Sequence, residues 1–176
     1  MPPFTIMKKI FFVILFLFNV SFSQVLLDVP FVKQKDEFCG PASLSSVFNF
    51  YGLETSQEEI GKEVYNPKLK GALITDLENF AKSKGFKTIL KKSNLDEIKT
   101  FIDERKPVIA LIDLGFWVVS KPHYVVIIGY NEKGFLVHSG YEEKVFIPYQ
   151  EFERKWEKLG KTILVVYRWE RVFLQF

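Results

Sequence analysis

The segment that constrains this chain most runs from Gln34 to Gly52 and holds its only cysteine, Cys39. Pro41 suits the first turn of a helix, where its missing N–H leaves no bond unmade. Leu44, Val47, Phe48 and Tyr51 recur at helical spacing, and Gly52 stops the run. The spacing predicts a helix with a buried apolar stripe and Cys39 at its N-terminal mouth. Unpaired N–H groups and the helix dipole favour the thiolate over the thiol there. A structural cysteine belongs in the stripe rather than at its mouth. Gln34, on the approach loop, has an amide able to donate a hydrogen bond to a developing oxyanion. The pattern reads as the seat of a nucleophile.

The chain around this segment has 176 residues, 48% of them hydrophobic, enough for one ordinary domain core. Its net charge is +3, and setting aside Lys8 and Lys9 leaves 22 basic against 21 acidic residues, or +1. That balance gives no electrostatic case for a nucleic-acid partner. Lys8 and Lys9 precede the apolar run Ile10 to Phe18, and Ser21 and Ser23 supply small residues before Gln24. This is the layout of a signal peptide over 1–23, which predicts an exported protein, periplasmic or extracellular, with its domain over 24–176. The alternative is an uncleaved leader acting as the sole membrane contact, although the run is short for a hydrocarbon core of ~30 Å. No cysteine stands at the cleavage site to carry a lipid. In an oxidising compartment a lone cysteine has no internal disulfide partner. It is then an intermolecular partner, a buried hydrophobe or a working thiol, and the helix-mouth position favours the last.

Beyond Gly52, Ser56-Gln57-Glu58-Glu59 is a capping box opening a helix toward Val64, ended by Asn66-Pro67. Gly71 lies in the loop before a helix with Ile74, Leu77, Phe80 and Ala81 on one face. Phe86 to Leu90 reads as a strand. Asn94 caps a third helix that carries Leu95, Ile98, Phe101 and Ile102 and stops before Pro107. From Pro107 the period changes. Val108–Leu114, Tyr124–Tyr130, Phe135–Val137, Val145–Tyr149 and Thr162–Tyr167 are β-branched or aromatic runs, and Asn131 to Gly134 is a hairpin signal. Gln150 to Leu159 adds a helix with Phe152 and Trp156 inward. Helices first and strands later predict an α+β domain, a helical half packed on an antiparallel sheet.

A thiol nucleophile needs a base, and the chain offers His123 and His138. His123 opens the strand His123-Tyr124-Val125-Val126, with Pro122 fixing its entry. A Cys/His pair can exist as thiolate and imidazolium, each stabilising the other. Gln34, Cys39-Gly40-Pro41-Ala42-Ser43-Leu44 and His123-Tyr124-Val125-Val126, followed by the hairpin, resemble the papain-like double-glycine cysteine peptidases that process bacteriocin leaders. The similarity extends to Glu151–Trp156. It implies Cys39 as nucleophile, His123 as general base and acid, and Gln34 as oxyanion donor beside the Cys39 N–H. It also implies a peptide or protein substrate and, for a partner, an export system or precursor peptide.

One departure concerns the residue that orients the histidine. The family places Asp after the hairpin strand, and this chain reads Phe135-Leu136-Val137-His138-Ser139-Gly140. Register puts Ser139 first as the orienter and His138 second, with Asp113 at the end of another strand third. Neighbours on a strand face opposite ways, so one of Ser139 and His138, not both, is expected to serve the imidazole. A neutral orienter stabilises imidazolium less than a carboxylate does. Two other readings compete: an acyltransferase like the phytochelatin-synthase relatives, or a peptide-binding module with little turnover. One Cys and two His do not make a zinc site, and no phosphate loop or other cofactor signature is present. Phe116 and Trp117 either line a substrate groove or pack into the core.

Overall fold

The computed structural model describes residues 24–115 and 119–168. The leader expected over 1–23, and Phe116 and Trp117, lie outside those residues. The domain is the expected α+β arrangement, helices packed on an antiparallel sheet. Its helices are α1 (Cys39–Phe50), α2 (Gln57–Val64), α3 (Ile74–Ser83), α4 (Leu95–Asp103) and α5 (Tyr149–Glu157). The strands are β1 (Val25–Leu26), β2 (Tyr65–Asn66), β3 (Gly71–Ala72), β4 (Lys87–Lys92), β5 (Val108–Asp113), β6 (Pro122–Tyr130), β7 (Gly134–His138), β8 (Val145–Pro148) and β9 (Thr162–Tyr167).

The main sheet runs β4-β9-β5-β6-β7-β8, and β1 pairs with the far end of β6, where Leu26 meets Gly129. β6 is its spine. Pro122 to Ile127 pair with β5, Val126 and Ile127 also pair with β7, and past a bulge between Ile127 and Gly129 the strand continues against β7 and β1. The bulge lets one strand serve two partners out of step, as an extra residue in a ladder does. Asn131 makes the β6–β7 turn, its Oδ1 accepting from the N–H groups of Lys133 and Gly134 at 2.8 and 3.2 Å.

Two apolar layers fix the helices. Phe48 of α1 stacks on Phe86 with ring centroids 4.6 Å apart, in the layer that holds α1 and α3 to the sheet. On α5, Phe152 meets Phe135 at 5.0 Å and Trp156 at 5.3 Å. Trp156 is fully buried and satisfies its indole N–H on the Thr162 carbonyl at 3.0 Å. Such buried aromatics each contribute a few kcal/mol, and they hold α5 against β5, β7 and β8.

The structure adds small features to the sequence reading, β1 among them. β2 and β3 form a hairpin where a plain loop was expected, with Asn66 Oδ1 accepting from Lys68 and Leu69. Phe86 lies before β4 rather than in it and packs inward against Phe48.

Candidate active site

Cys39 is the first residue of α1 and is half-buried. Phe38 before it makes no side-chain cap, so what fixes the helix start is packing. The Phe38 ring lies 5.5 Å from the Tyr65 ring and covers Gly61, where a Cβ would come within 2.6 Å of it. Glu37 adopts φ 63°, and its carboxylate accepts from the Tyr65 hydroxyl and stands 3.8 Å from Lys70 Nζ. The β2–β3 hairpin thus fastens the loop that delivers the cysteine.

His123 is buried at the start of β6, and its Nε2 lies 2.7 Å from the main-chain oxygen of Ser139. A carbonyl only accepts, so Nε2 carries the hydrogen and Nδ1 is left as the acceptor. Ser139 therefore stands at His123, but it offers its carbonyl in place of the hydroxyl that register suggested. Its Oγ turns instead to the Glu142 carbonyl at 3.4 Å. His138 faces the other way. Its Nε2 lies 2.9 Å from the Val29 carbonyl and its Nδ1 accepts from Lys144 N–H at 3.3 Å, so it cannot orient His123. Asp113 also serves elsewhere, its Oδ1 accepting from Gly115 and Lys121 N–H groups at 2.7 Å each.

Gln34 is buried, and its N–H donates to the Gly140 carbonyl at 2.8 Å. Among the described residues its side-chain Oε1 is enclosed without a hydrogen-bond partner. Gly140 has φ 86°, and a Cβ there would overlap Gln34 Oε1. Gln34, Cys39, His123 and Ser139 line one cleft of about 900 Å³, a size that accepts a ligand. Leu69, Leu114, Tyr141 and Phe146 stand exposed along its walls. Among the described residues no cluster of three or more His, Cys, Asp or Glu could hold a metal ion.

The family model described as Peptidase_C39 like family matches residues 26–164, most of the chain and all of this site. This chain belongs to the Peptidase_C39 like family. Solved structures of similar fold include a C39-like peptidase from Bacillus anthracis, 17% identical over 84% of this chain and 98% of that one, with a TM-score of 0.69. The peptidase domain of Streptococcus ComA, a bifunctional ABC transporter involved in quorum sensing, is 22% identical over 78% and 97%, at 0.66. A double glycine motif protease from an AMS/PCAT transporter, solved with its leader peptide, is 21% identical over 80% and 92%, also at 0.66. Curated proteins give no match. The fold is that of the C39 papain-like peptidases.

Within this family member the electrostatics differ from the sequence expectation of a thiolate at rest. Burial pushes the Cys39 thiol up, and the N–H groups of Tyr124, Gly40 and Cys39 itself pull the other way without offsetting it. Burial likewise pushes the His123 imidazole down; the Ser139 carbonyl opposes this and Lys121 adds to it. Both shifts favour a neutral thiol beside a neutral imidazole. The helix-end field is real, but in a half-closed site desolvation of the charged form is the larger effect.

Two residues matter here that sequence reasoning passed over. In the sequence Gly140 is only the end of a strand motif, and nothing beside it announces its positive φ. Gln57 stands in the sequence as a member of the capping box, yet it is buried, an uncommon state for a glutamine.

Proposed function

We propose that the chain is an exported cysteine peptidase that cleaves peptide bonds through a Cys39 thioacyl intermediate. What carries this reading is the imidazole of His123, held on the Ser139 carbonyl in the tautomer whose Nδ1 is free, in the same cleft as Cys39. The Cys39 sulfur attacks the scissile carbonyl carbon as its proton passes to His123 Nδ1. The oxygen that becomes negative is met by the Cys39 N–H and the Gln34 amide. Collapse expels the amine, which takes the proton from His123. Water then adds to the thioester with His123 as base, releasing the acid and restoring the thiol. No cofactor enters these steps.

Because attack starts from a neutral pair, the proton moves with bond formation and not before it. A carbonyl orienter gives the imidazolium a dipole where a carboxylate would give a full charge, so turnover is modest. The exposed apolar side chains along the cleft suit an extended peptide substrate, in line with the leader peptide bound by the similar transporter protease. An export system or small precursor would supply such a peptide, and export follows from the leader over 1–23.

Cys39→Ala tests the assignment. Hydrolysis of synthetic precursor-type peptides, followed by mass spectrometry, should vanish in this variant while its melting temperature stays within a few degrees of wild type. Equal hydrolysis by both proteins would overturn it. Binding of the same peptides with no hydrolysis by wild type would point to a peptide-binding module.

A further inference from the structure

Gln34 is held on both sides, and one of the holders is a side chain outside the cleft. In an extended segment the N–H of one residue points to one side, while the flanking carbonyl and N–H point to the other. The Gln34 N–H donates to Gly140 O at 2.8 Å. On the opposite side, Lys35 N–H donates to Gln57 Oε1 at 2.9 Å, and Gln57 Nε2 donates to the Lys33 carbonyl at 2.8 Å. The amide of Gln57 therefore takes the place of a neighbouring strand, closing a two-bond bridge around Gln34. Gln57 is buried and heads α2, where Ser56 caps the helix by accepting from Glu59 N–H at 3.1 Å. Its side chain is thus fixed by the helix start while its polar end is used entirely on residues 33 and 35.

We infer that Gln57 is a positioning residue for the reaction, setting the Gln34 amide where the oxyanion forms. This rests on the reading of Gln34 as an oxyanion donor. The unpartnered Oε1 of Gln34 strengthens it: among the described residues that oxygen is buried with no hydrogen bond to anchor the amide from its own side, so the aim of the amide depends on how the backbone is held. A shift of about 1 Å in such a group can cost ~100-fold in rate. Gln57 supplies that constraint without touching the substrate.

The test compares two thiol reagents on the full protein. Acetyl-Leu-Gly-glycinal adds to Cys39: an S–C bond forms at the aldehyde carbon, the C=O bond opens to an oxyanion, and the thiol proton goes to His123. Iodoacetamide forms an S–C bond with loss of iodide and makes no oxyanion. Aldehyde affinity is read from protection of Cys39 against iodoacetamide. Gln34→Ala should weaken the aldehyde ~100-fold, the scale of a lost oxyanion donor. Gln57→Ala should weaken it ~10-fold, and Gln57→Glu, which keeps the acceptor for Lys35 but sets a carboxylate oxygen against the Lys33 carbonyl, by at least as much. Neither Gln57 variant should change iodoacetamide alkylation by more than ~2-fold, and Gln57→Ala placed on Gln34→Ala should add less than ~2-fold. If Gln57→Ala weakens the aldehyde equally with and without Gln34, Gln57 is only scaffold and the inference falls. If Gln34→Ala matters and neither Gln57 variant does, the inference falls while the donor role of Gln34 stands. Unchanged aldehyde affinity in Gln34→Ala overturns that role and the inference together.

Discussion

Cys39 and His123 are each shifted away from the charge that an ion pair would give them, and the direction sets a pH window. Burial lifts the thiol above its ordinary ~8.5 and holds the imidazole below its ordinary ~6.5. The reactive pair carries one proton. It gains a second only below the depressed imidazole value and loses its last only above the raised thiol value. Hydrolysis measured as kcat/KM should therefore be flat from pH 6.5 to 8.5, with both limbs outside that range. Iodoacetamide alkylation of Cys39 should inflect above ~8.5. An inflection near neutrality would show that the helix-end field outweighs burial after all. Gly140→Ala, at φ 86°, should cost roughly 1–3 kcal/mol in strain and lower kcat about 10-fold or more by displacing Gln34. A variant with lost stability but wild-type kcat would separate Gly140 from the oxyanion site. The places of Cys39 at a helix mouth and of His123 at a strand start, the two residues proposed as nucleophile and base, were legible in the sequence. The orienting atom was not, because a main-chain carbonyl carries no residue signature.

The helix and strand periods place the large elements because each has one strongly apolar face, as in Leu44, Val47 and Phe48 of α1 or Phe152 and Trp156 of α5. The β2–β3 hairpin has no sequence signature because two-residue strands leave no period to read. Yet that hairpin holds Glu37 and Phe38, so it bears on the site more than some longer elements. His138 has an element-scale role too: from the end of β7 it ties Val29 to Lys144 in its neutral form, with Nδ1 as acceptor. Burial lowers its pKa, as it lowers that of His123. A depressed folded value means the unfolded chain takes up the proton first as pH falls. Stability from these groups is then complete above ~6.5 and is lost on acidification toward their folded values. Melting temperatures should fall between pH 6.5 and 5, and His138→Gln should fall less steeply because an amide keeps both hydrogen bonds. An identical slope would place the acid sensitivity elsewhere.

At the scale of the whole molecule, β1 begins at Val25 and pairs with the far end of β6. Processing just before Gln24 would keep every described strand, and on the proposed export intact mass of the secreted fraction should give a mature start near Gln24. Membrane-bound protein retaining 1–23 would favour an anchor instead. The sheet brings Cys39 from the helical half and His123 from the strand half into one cleft, and the peptidase account requires that they act as a pair. The most direct test is inactivation by a peptidyl acyloxymethyl ketone, read by intact mass and peptide mapping. The account predicts one adduct, on Cys39, forming at least ~100-fold more slowly in His123→Ala, the scale of a lost general base, while that variant keeps its fold. Labelling of His123→Ala at the wild-type rate, or labelling away from Cys39, would contradict it.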